Sequence, residues 1–155
     1  MTGKIRKASI ADSGIIAGLH AKCFAQAWDE RAIRGLLENV NVFALLADNA
    51  SQSQSFILAF ILVQAVRDQS EILSFGTEPE ARRAGHARAL LRAAAEEAAS
   101  RGAREMYLEV AADNEAALAL YESHGFVRCG ARPRYYERRH APAVDAVMLR
   151  AVLPL

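Results

Sequence analysis

Only two cysteines, Cys23 and Cys129, occur in the chain. They could pair just once and nothing in the sequence marks export, so both are expected to be reduced, packing residues of a cytosolic protein. The four histidines, His20, His86, His124 and His140, stand far apart and at no ligand-like spacing from one another or from the cysteines, so no metal site is expected. A charge excess is missing too. Nineteen basic residues face eighteen acidic ones, a formal charge of +1, which removes any global electrostatic argument for nucleic acid or an anionic membrane. The longest apolar run, Phe56 to Val63, falls far short of the roughly 20 residues of a membrane span and reads as a buried strand. Met1 to Ser13 carries Lys4, Arg6, Lys7 and Asp12 without an apolar stretch, so it is not read as a secretory signal.

What is present suits one compact unit. At 155 residues and 52% hydrophobic content the chain can bury a substantial core, and a single domain over residues 1–155 is expected. Lys4 to Ala8 reads as a short strand. Asp12 or Ser13 can cap a helix running to about Phe24, and a second helix is expected over Asp29 to Glu38. Val42 to Ala47, Phe56 to Val66 and Glu71 to Thr77 suggest an antiparallel meander, with the Asn/Ser/Gln-rich stretch Asn49 to Ser55 as a hairpin loop. Gly85 to Arg101 is dominated by strong helix formers and ends at Gly102. Arg104 to Val110 alternates as a strand, Asn114 can cap a helix that stops at Gly125, and Phe126 to Cys129 and Val144 to Ala151 supply the last strands. Such an order makes an α/β (α+β) fold, a mixed sheet with helices on its faces.

The segment from Ile72 to Leu91 carries the clearest chemical signal. An apolar strand passes through Glu78-Pro79 into Arg82-Arg83-Ala84-Gly85-His86-Ala87 and directly into a helix. A helix N-terminus has four unpaired N–H groups and partial positive charge, so phosphates bind there without a dedicated base. The pattern lacks the Gly-Lys-Ser/Thr ending of a nucleotide-triphosphate loop and the three glycines of a dinucleotide fingerprint. Arg82, Gly85 and Ala87 match Arg/Gln-x-x-Gly-x-Gly/Ala, and here the chain resembles the GNAT superfamily of N-acetyltransferases. The frequent aromatic of that pattern is replaced by Ala81.

A longer series strengthens the likeness: Leu108-Glu109-Val110, Asn114, Ala117, Leu120-Tyr121-Glu122-Ser123 and Gly125-Phe126. With Cys23-Phe24, Trp28, Arg134-Tyr135-Tyr136, Asp145-Ala146 and Met148, it is similar to the RimI-type branch, the ribosomal-protein alanine N-acetyltransferases that acetylate protein N-termini. The resemblance implies a GNAT-like, mostly antiparallel central sheet with helices on both faces. It also implies acetyl-CoA as co-substrate and no metal. The coenzyme A diphosphate would lie beside Arg82 on the backbone of Arg83, Ala84, Gly85, His86, Ala87 or Arg88, and its pantetheine arm along Phe75, Gly76 and Thr77 near Asn114.

An α-amino group has a pKa of roughly 7.7 to 8.0 and must lose a proton before it attacks a thioester. Strand alternation places Tyr107, Glu109 and Ala111 opposite Met106, Leu108 and Val110, so Glu109 can point out of the sheet. By resemblance Glu109 is the general base, directly or through water, and Tyr121 is the general acid for the departing thiolate. Trp28, Tyr135 and Tyr136 belong to the acceptor side. The acceptor is expected to be a protein N-terminus, that of a small-subunit ribosomal protein, or a small amine on the same fold. A non-catalytic acyl-CoA-binding module is the third reading, and retention of both Glu109 and Tyr121 argues against it. Arg128 to His140, with Glu137 as its only acid, reads as a solvated hairpin loop rather than a surface for an acidic peptide or RNA. A monomer or weak homodimer in the cytoplasm is expected, with no membrane partner.

Overall fold

A computed structural model describes residues 4–49 and 56–155. Its elements follow the order read from the sequence: β1 (Lys4–Lys7), α1 (Ser13–Cys23), α2 (Glu30–Leu37), β2 (Val42–Asp48), β3 (Ile57–Val66), β4 (Gln69–Thr77), α3 (His86–Ser100), β5 (Glu105–Ala111), α4 (Glu115–Ser123), β6 (Val127–Tyr136) and β7 (Val144–Val152). Short 3-10 turns precede α1 and follow β4. The seven strands form one sheet in the order β1-β2-β3-β4-β5-β7-β6, antiparallel except where β4 meets β5. The hairpin connection expected over Asn49 to Ser55 lies, from residue 50 onward, outside the described residues, as does the start before Lys4.

Side-chain alternation sorts the strands into two cores. Phe43, Leu45, Ile61 and Val63 pack with Leu90, Leu91 and Ala94 of α3 and with Leu118 of α4 on one face. Ala44, Leu46, Phe60 and Leu62 pack with Ile16, Leu19 and Ile33 of α1 and α2 on the other. Both faces of the β2–β3 region are thus covered, which is why those strands read as continuous apolar runs. Asp29 caps α2 by accepting from the Ala32 N–H at 2.9 Å.

Three expectations need correction. Asp12 sits at the N-cap of α1, yet neither its carboxylate nor any other side chain caps that helix. Its oxygens accept instead from the Arg6 guanidinium and the Ser9 N–H. Arg6 in turn reaches Asp48, and this cluster ties β1 to β2. Arg128 to Tyr136 is also no loop. It belongs to strand β6, paired with β7 and forming one edge of the sheet. Nearly every residue of β6 is exposed, so the strand has no buried face to write an apolar alternation into the sequence. Pro133 and two register shifts protect that edge against further pairing. Cys129 lies exposed on this strand rather than packed, and Cys23 is half-buried; both are free thiols.

The feature that makes a site is a split in the sheet. Strand β4 pairs with β5 only from Gln69 to Glu71, opposite Glu105 to Tyr107. Beyond this the β3–β4 register shifts, Leu62 facing Ser74 but Val63 facing Ile72, and an extra residue enters β4. A bulge bends its strand and increases the local twist. The second half of β4 therefore leaves β5 while staying paired with β3, and backbone groups on the inner edges of both strands lose a ladder partner.

Candidate active site

The split opens into a cleft of about 860 Å³, within the range that takes small-molecule ligands. One end is made by the turn before α3. Gly85 occupies the N-cap with φ 88°, in the left-handed region, and no side chain caps the helix, so the start of α3 presents its positive end to the cleft. Arg83 also adopts a positive φ of 65°, an unusual and mildly strained state for a residue with a Cβ. Left-handed residues beside right-handed ones turn successive N–H groups to one side, the backbone concavity that anions occupy. The cationic side chains of Arg82, Arg83 and Arg88 line the same end, and no carboxylate lines the cleft anywhere among the described residues.

The other end is apolar. Phe24 from the end of α1, Phe75 from β4, and Ala116, Ala117 and Leu120 from α4 form its walls. Asn114 caps α4 by accepting from the Ala117 N–H at 3.2 Å. Two turns on, Tyr121 is buried with 6% of its surface exposed, its ring edge-on to Phe126 at 5.5 Å and tilted on Phe75 at 6.3 Å. Among the described residues its hydroxyl has no hydrogen-bond partner, and it lines the cleft. Burial, with Tyr136 nearby as a smaller cause, pushes its phenol well above the ordinary tyrosine range, so it holds its proton at every physiological pH.

Every sequence-predicted cofactor residue except Ala84 lines this cleft: Phe75, Gly76, Thr77, Arg82, Arg83, Gly85, His86, Ala87, Arg88, Asn114 and Tyr121. Sequence reasoning missed Cys23. Its Sγ donates to the Thr77 carbonyl at 3.4 Å, and burial raises its thiol pKa. The signal was Gly76, because a Cβ there would stand 2.9 Å from both Cys23 Sγ and Phe60 Cε1. Only glycine lets α1 press onto the strand that walls the cleft. Ala116, Ala117 and Leu120 share the cleft-facing side of α4 with Tyr121 at helical spacing.

Comparison with known proteins settles the lineage. The profile of the acetyltransferase (GNAT) family matches residues 16–126. The chain belongs to that family. Ribosomal protein bS18-alanine N-acetyltransferase of Escherichia coli is 41% identical over 78 residues, a stretch covering 50% of this chain and 53% of the relative. The chain thus spans about half the length of the curated relative it matches. The crystal structure of the ribosomal-protein-S18-alanine N-acetyltransferase from Escherichia coli superposes with a TM-score of 0.87 at 26% identity, covering 100% of this chain and 96% of that one. Arabidopsis thaliana NAA60 in complex with acetyl-CoA shares the fold, with a TM-score of 0.85 at 16% identity over 97% of this chain and 98% of that one.

Glu109, Trp28, Tyr135 and Tyr136 do not line the cleft of this GNAT chain. Glu109 projects from β5 on the face opposite α3 and α4, as the alternation required, and its Oε1 pairs with Arg132 Nη2 of β6 at 2.9 Å. Arg132 lies over the Tyr135 ring at 5.4 Å. Burial raises the Tyr136 phenol, with the Glu109 charge next in size, and Arg132 and Arg138 oppose the shift. Tyr136 therefore shares electrostatic contact with both Glu109 and Tyr121. The side-chain pair of Arg138 and Asp113 joins the loop after β6 to the turn before α4 through two bonds of 2.8 and 3.1 Å. Trp28 stands apart, on the α1–α2 connection. Its backbone N–H donates to His20 Nδ1 at 3.1 Å, and its ring stacks on His20 at 4.9 Å. Burial lowers the His20 pKa, which suits an imidazole that must accept this bond unprotonated.

Proposed function

We propose that the protein transfers the acetyl group of acetyl-CoA to a primary amine, the N-terminal α-amino group of a protein of the ribosomal-protein alanine type. The carrying observation is the cleft itself: a cationic, acid-free end at the uncapped start of α3 leads along the unpaired edge of β4 to the buried Tyr121 hydroxyl. That sequence of surfaces fits a ligand with phosphates at one end and an extended arm ending at a reactive group. When bound, acetyl-CoA supplies an activated thioester.

The residues then divide the work. N–H groups from Arg83 to Arg88 hold the diphosphate, the β4 edge over Phe75, Gly76 and Thr77 aligns the arm, and Asn114 contacts it. Tyr121 keeps its proton at the cleft wall and gives it to the sulfur as the amine forms the C–N bond and the C–S bond breaks. Glu109, reached from the opposite side of the sheet split, takes the proton of the acceptor ammonium directly or through a water. Tyr135 and Tyr136 flank the acceptor entrance, and Trp28 shapes it through the α1–α2 connection. The Escherichia coli relative named for the alanine of ribosomal protein bS18 supports the choice of acceptor. The protein acts in the cytoplasm as one catalytic domain, monomeric or weakly dimeric.

A thiol-release assay tests the reading. Ala-led peptides should be acetylated, and aminoglycosides and polyamines ignored. The variant Glu109→Gln should lose rate mainly near neutrality and much less at alkaline pH, where the α-amine, with a pKa of roughly 7.7 to 8.0, has already shed its proton. A pH–rate profile identical to wild type would remove Glu109 from the base role. Binding of acetyl-CoA with no turnover on any amine would refute the enzymatic reading.

A further inference from the structure

The α1 wall of the cleft is anchored unlike the others. Strand β4 is laddered to β3, and Leu118 and Tyr121 hold α4 in the larger core. Phe24, by contrast, opens a connection, residues 24–29, that has neither helix nor strand and is mostly exposed. Its ring tilts on His20 at 4.4 Å and otherwise faces the cleft and solvent. An exposed aromatic on an irregular connection, with few buried contacts of its own, keeps its place only if its neighbours in the chain are tied down.

Both residues before it are tied to the cofactor side. Lys22 Nζ donates to Glu78 Oε2 at 3.0 Å, and Cys23 Sγ donates to the Thr77 carbonyl at 3.4 Å. Glu78 is the fixed member of the ion pair: its carboxylate is mostly covered while Lys22 is largely exposed. The Glu78 N–H donates to the Leu58 carbonyl at 2.7 Å, extending the ladder past the pairing of Thr77 with Ala59. Its carbonyl then accepts from the Ala81 N–H at 2.8 Å, in the 3-10 turn that delivers Arg82 to the cationic end of the cleft. Burial raises the Cys23 thiol pKa and the nearby Arg82 guanidinium opposes the rise, so this arginine meets the end of α1 as well as the cleft. On the far side, His20 carries Trp28 through a ring stack and a backbone hydrogen bond.

Resting on the acetyltransferase reading above, we infer that Lys22 is a positioning residue: through Glu78 it registers Phe24 and the α1–α2 connection against the turn that receives the coenzyme A diphosphate, so that filling this turn sets the acceptor wall. A diphosphate engages the Arg82 guanidinium through charge-assisted bonds and fixes the turn from Glu78 onward. The Lys22–Glu78 strap passes that fixation to Phe24, and His20 passes it to Trp28. Coupling of binding free energies is reciprocal, so coenzyme and acceptor raise each other's affinity by one common factor. An ion pair with one exposed member supports a factor of about three to five.

The chain has a single tryptophan, so the emission of Trp28 reports on the α1–α2 connection. Coenzyme A is titrated into the full-length protein and followed by calorimetry and by Trp28 emission, and peptide kinetics are measured with an Ala-led peptide. Wild type should show an emission change that saturates with the calorimetric Kd. Lys22→Ala should bind coenzyme A within about twofold of wild type, lose most of the emission change, and raise the peptide KM about three- to fivefold with kcat and Tm held. Lys22→Arg, which keeps the charge pair, should behave as wild type. An emission change absent from wild type, or an emission response or peptide KM unchanged in Lys22→Ala, would overturn the inference and leave the acetyltransferase reading standing. A KM rise that Lys22→Arg shares would overturn it too, because the ion pair would then not be its cause. No calorimetric affinity of the wild-type protein for coenzyme A would overturn both.

Discussion

Replacing Tyr121 with Phe deletes one oxygen atom and tests the acid assignment with little structural cost. The ring is buried between Phe75 and Phe126, and both contacts survive the change. The lost hydroxyl has no hydrogen-bond partner among the described residues, so no donor or acceptor is orphaned. Removing such a group from an apolar wall is neutral, or stabilising by up to about 1 kcal/mol. For a chain of this size that corresponds to a rise of no more than about 2–4 °C in Tm. Catalysis should respond differently. General acid catalysis contributes about 10²- to 10⁴-fold, so kcat should fall by that factor, about 2.7–5.5 kcal/mol of barrier. The KM for acetyl-CoA should change little, because the phosphate end of the cleft lies elsewhere. The assay pairs single-turnover thiol release with calorimetric melting on the same preparation. A variant that melts as wild type and still turns over within about threefold of it would refute the acid role, since general acid catalysis demands at least about a hundredfold.

Two further outcomes follow from packing and titration. Gly76→Ala places a Cβ 2.9 Å from Cys23 Sγ and Phe60 Cε1. Overpacking of this kind costs about 1–3 kcal/mol, and the displaced β4 should also weaken coenzyme A binding measured by calorimetry; Cys23→Ala in the same chain should restore part of both. His20 and His86 have pKa values lowered by burial. Such groups bind protons more readily in the unfolded chain, so their contribution to stability is present above the ordinary histidine pKa of about 6.5 and is lost as pH falls through their folded values. Tm should therefore drop between neutral and mildly acidic pH, and His20→Gln should flatten that slope; an unchanged slope would show that protonation of His20 is not linked to unfolding.

Much of this protein is written locally. The element order, the N-caps at Asp29 and Asn114, the strand face of Glu109 and the cationic turn from Arg82 to Arg88 at the start of α3 follow from short-range rules, because periodicity, capping and helix polarity act over a few residues. The edge strand was not legible beyond Cys129: exposed on both sides, β6 lacks the alternation that burial imposes, and its arginines read as loop. The role of Gly76 and Cys23 was also hidden, since a glycine in a strand marks a close approach without saying which segment makes it.

Tertiary structure decided everything that depends on two distant segments meeting. The separation of β4 from β5 arises from a one-residue change of register against β3, and that change opens the cleft. The pairing of Glu109 with Arg132, from two strands that flank β7, set the charge environment of that carboxylate. Local sequence fixes which groups a residue can offer, whereas long-range strand register fixes which groups they face, and register is chosen by the burial of the whole sheet rather than by any one stretch of chain.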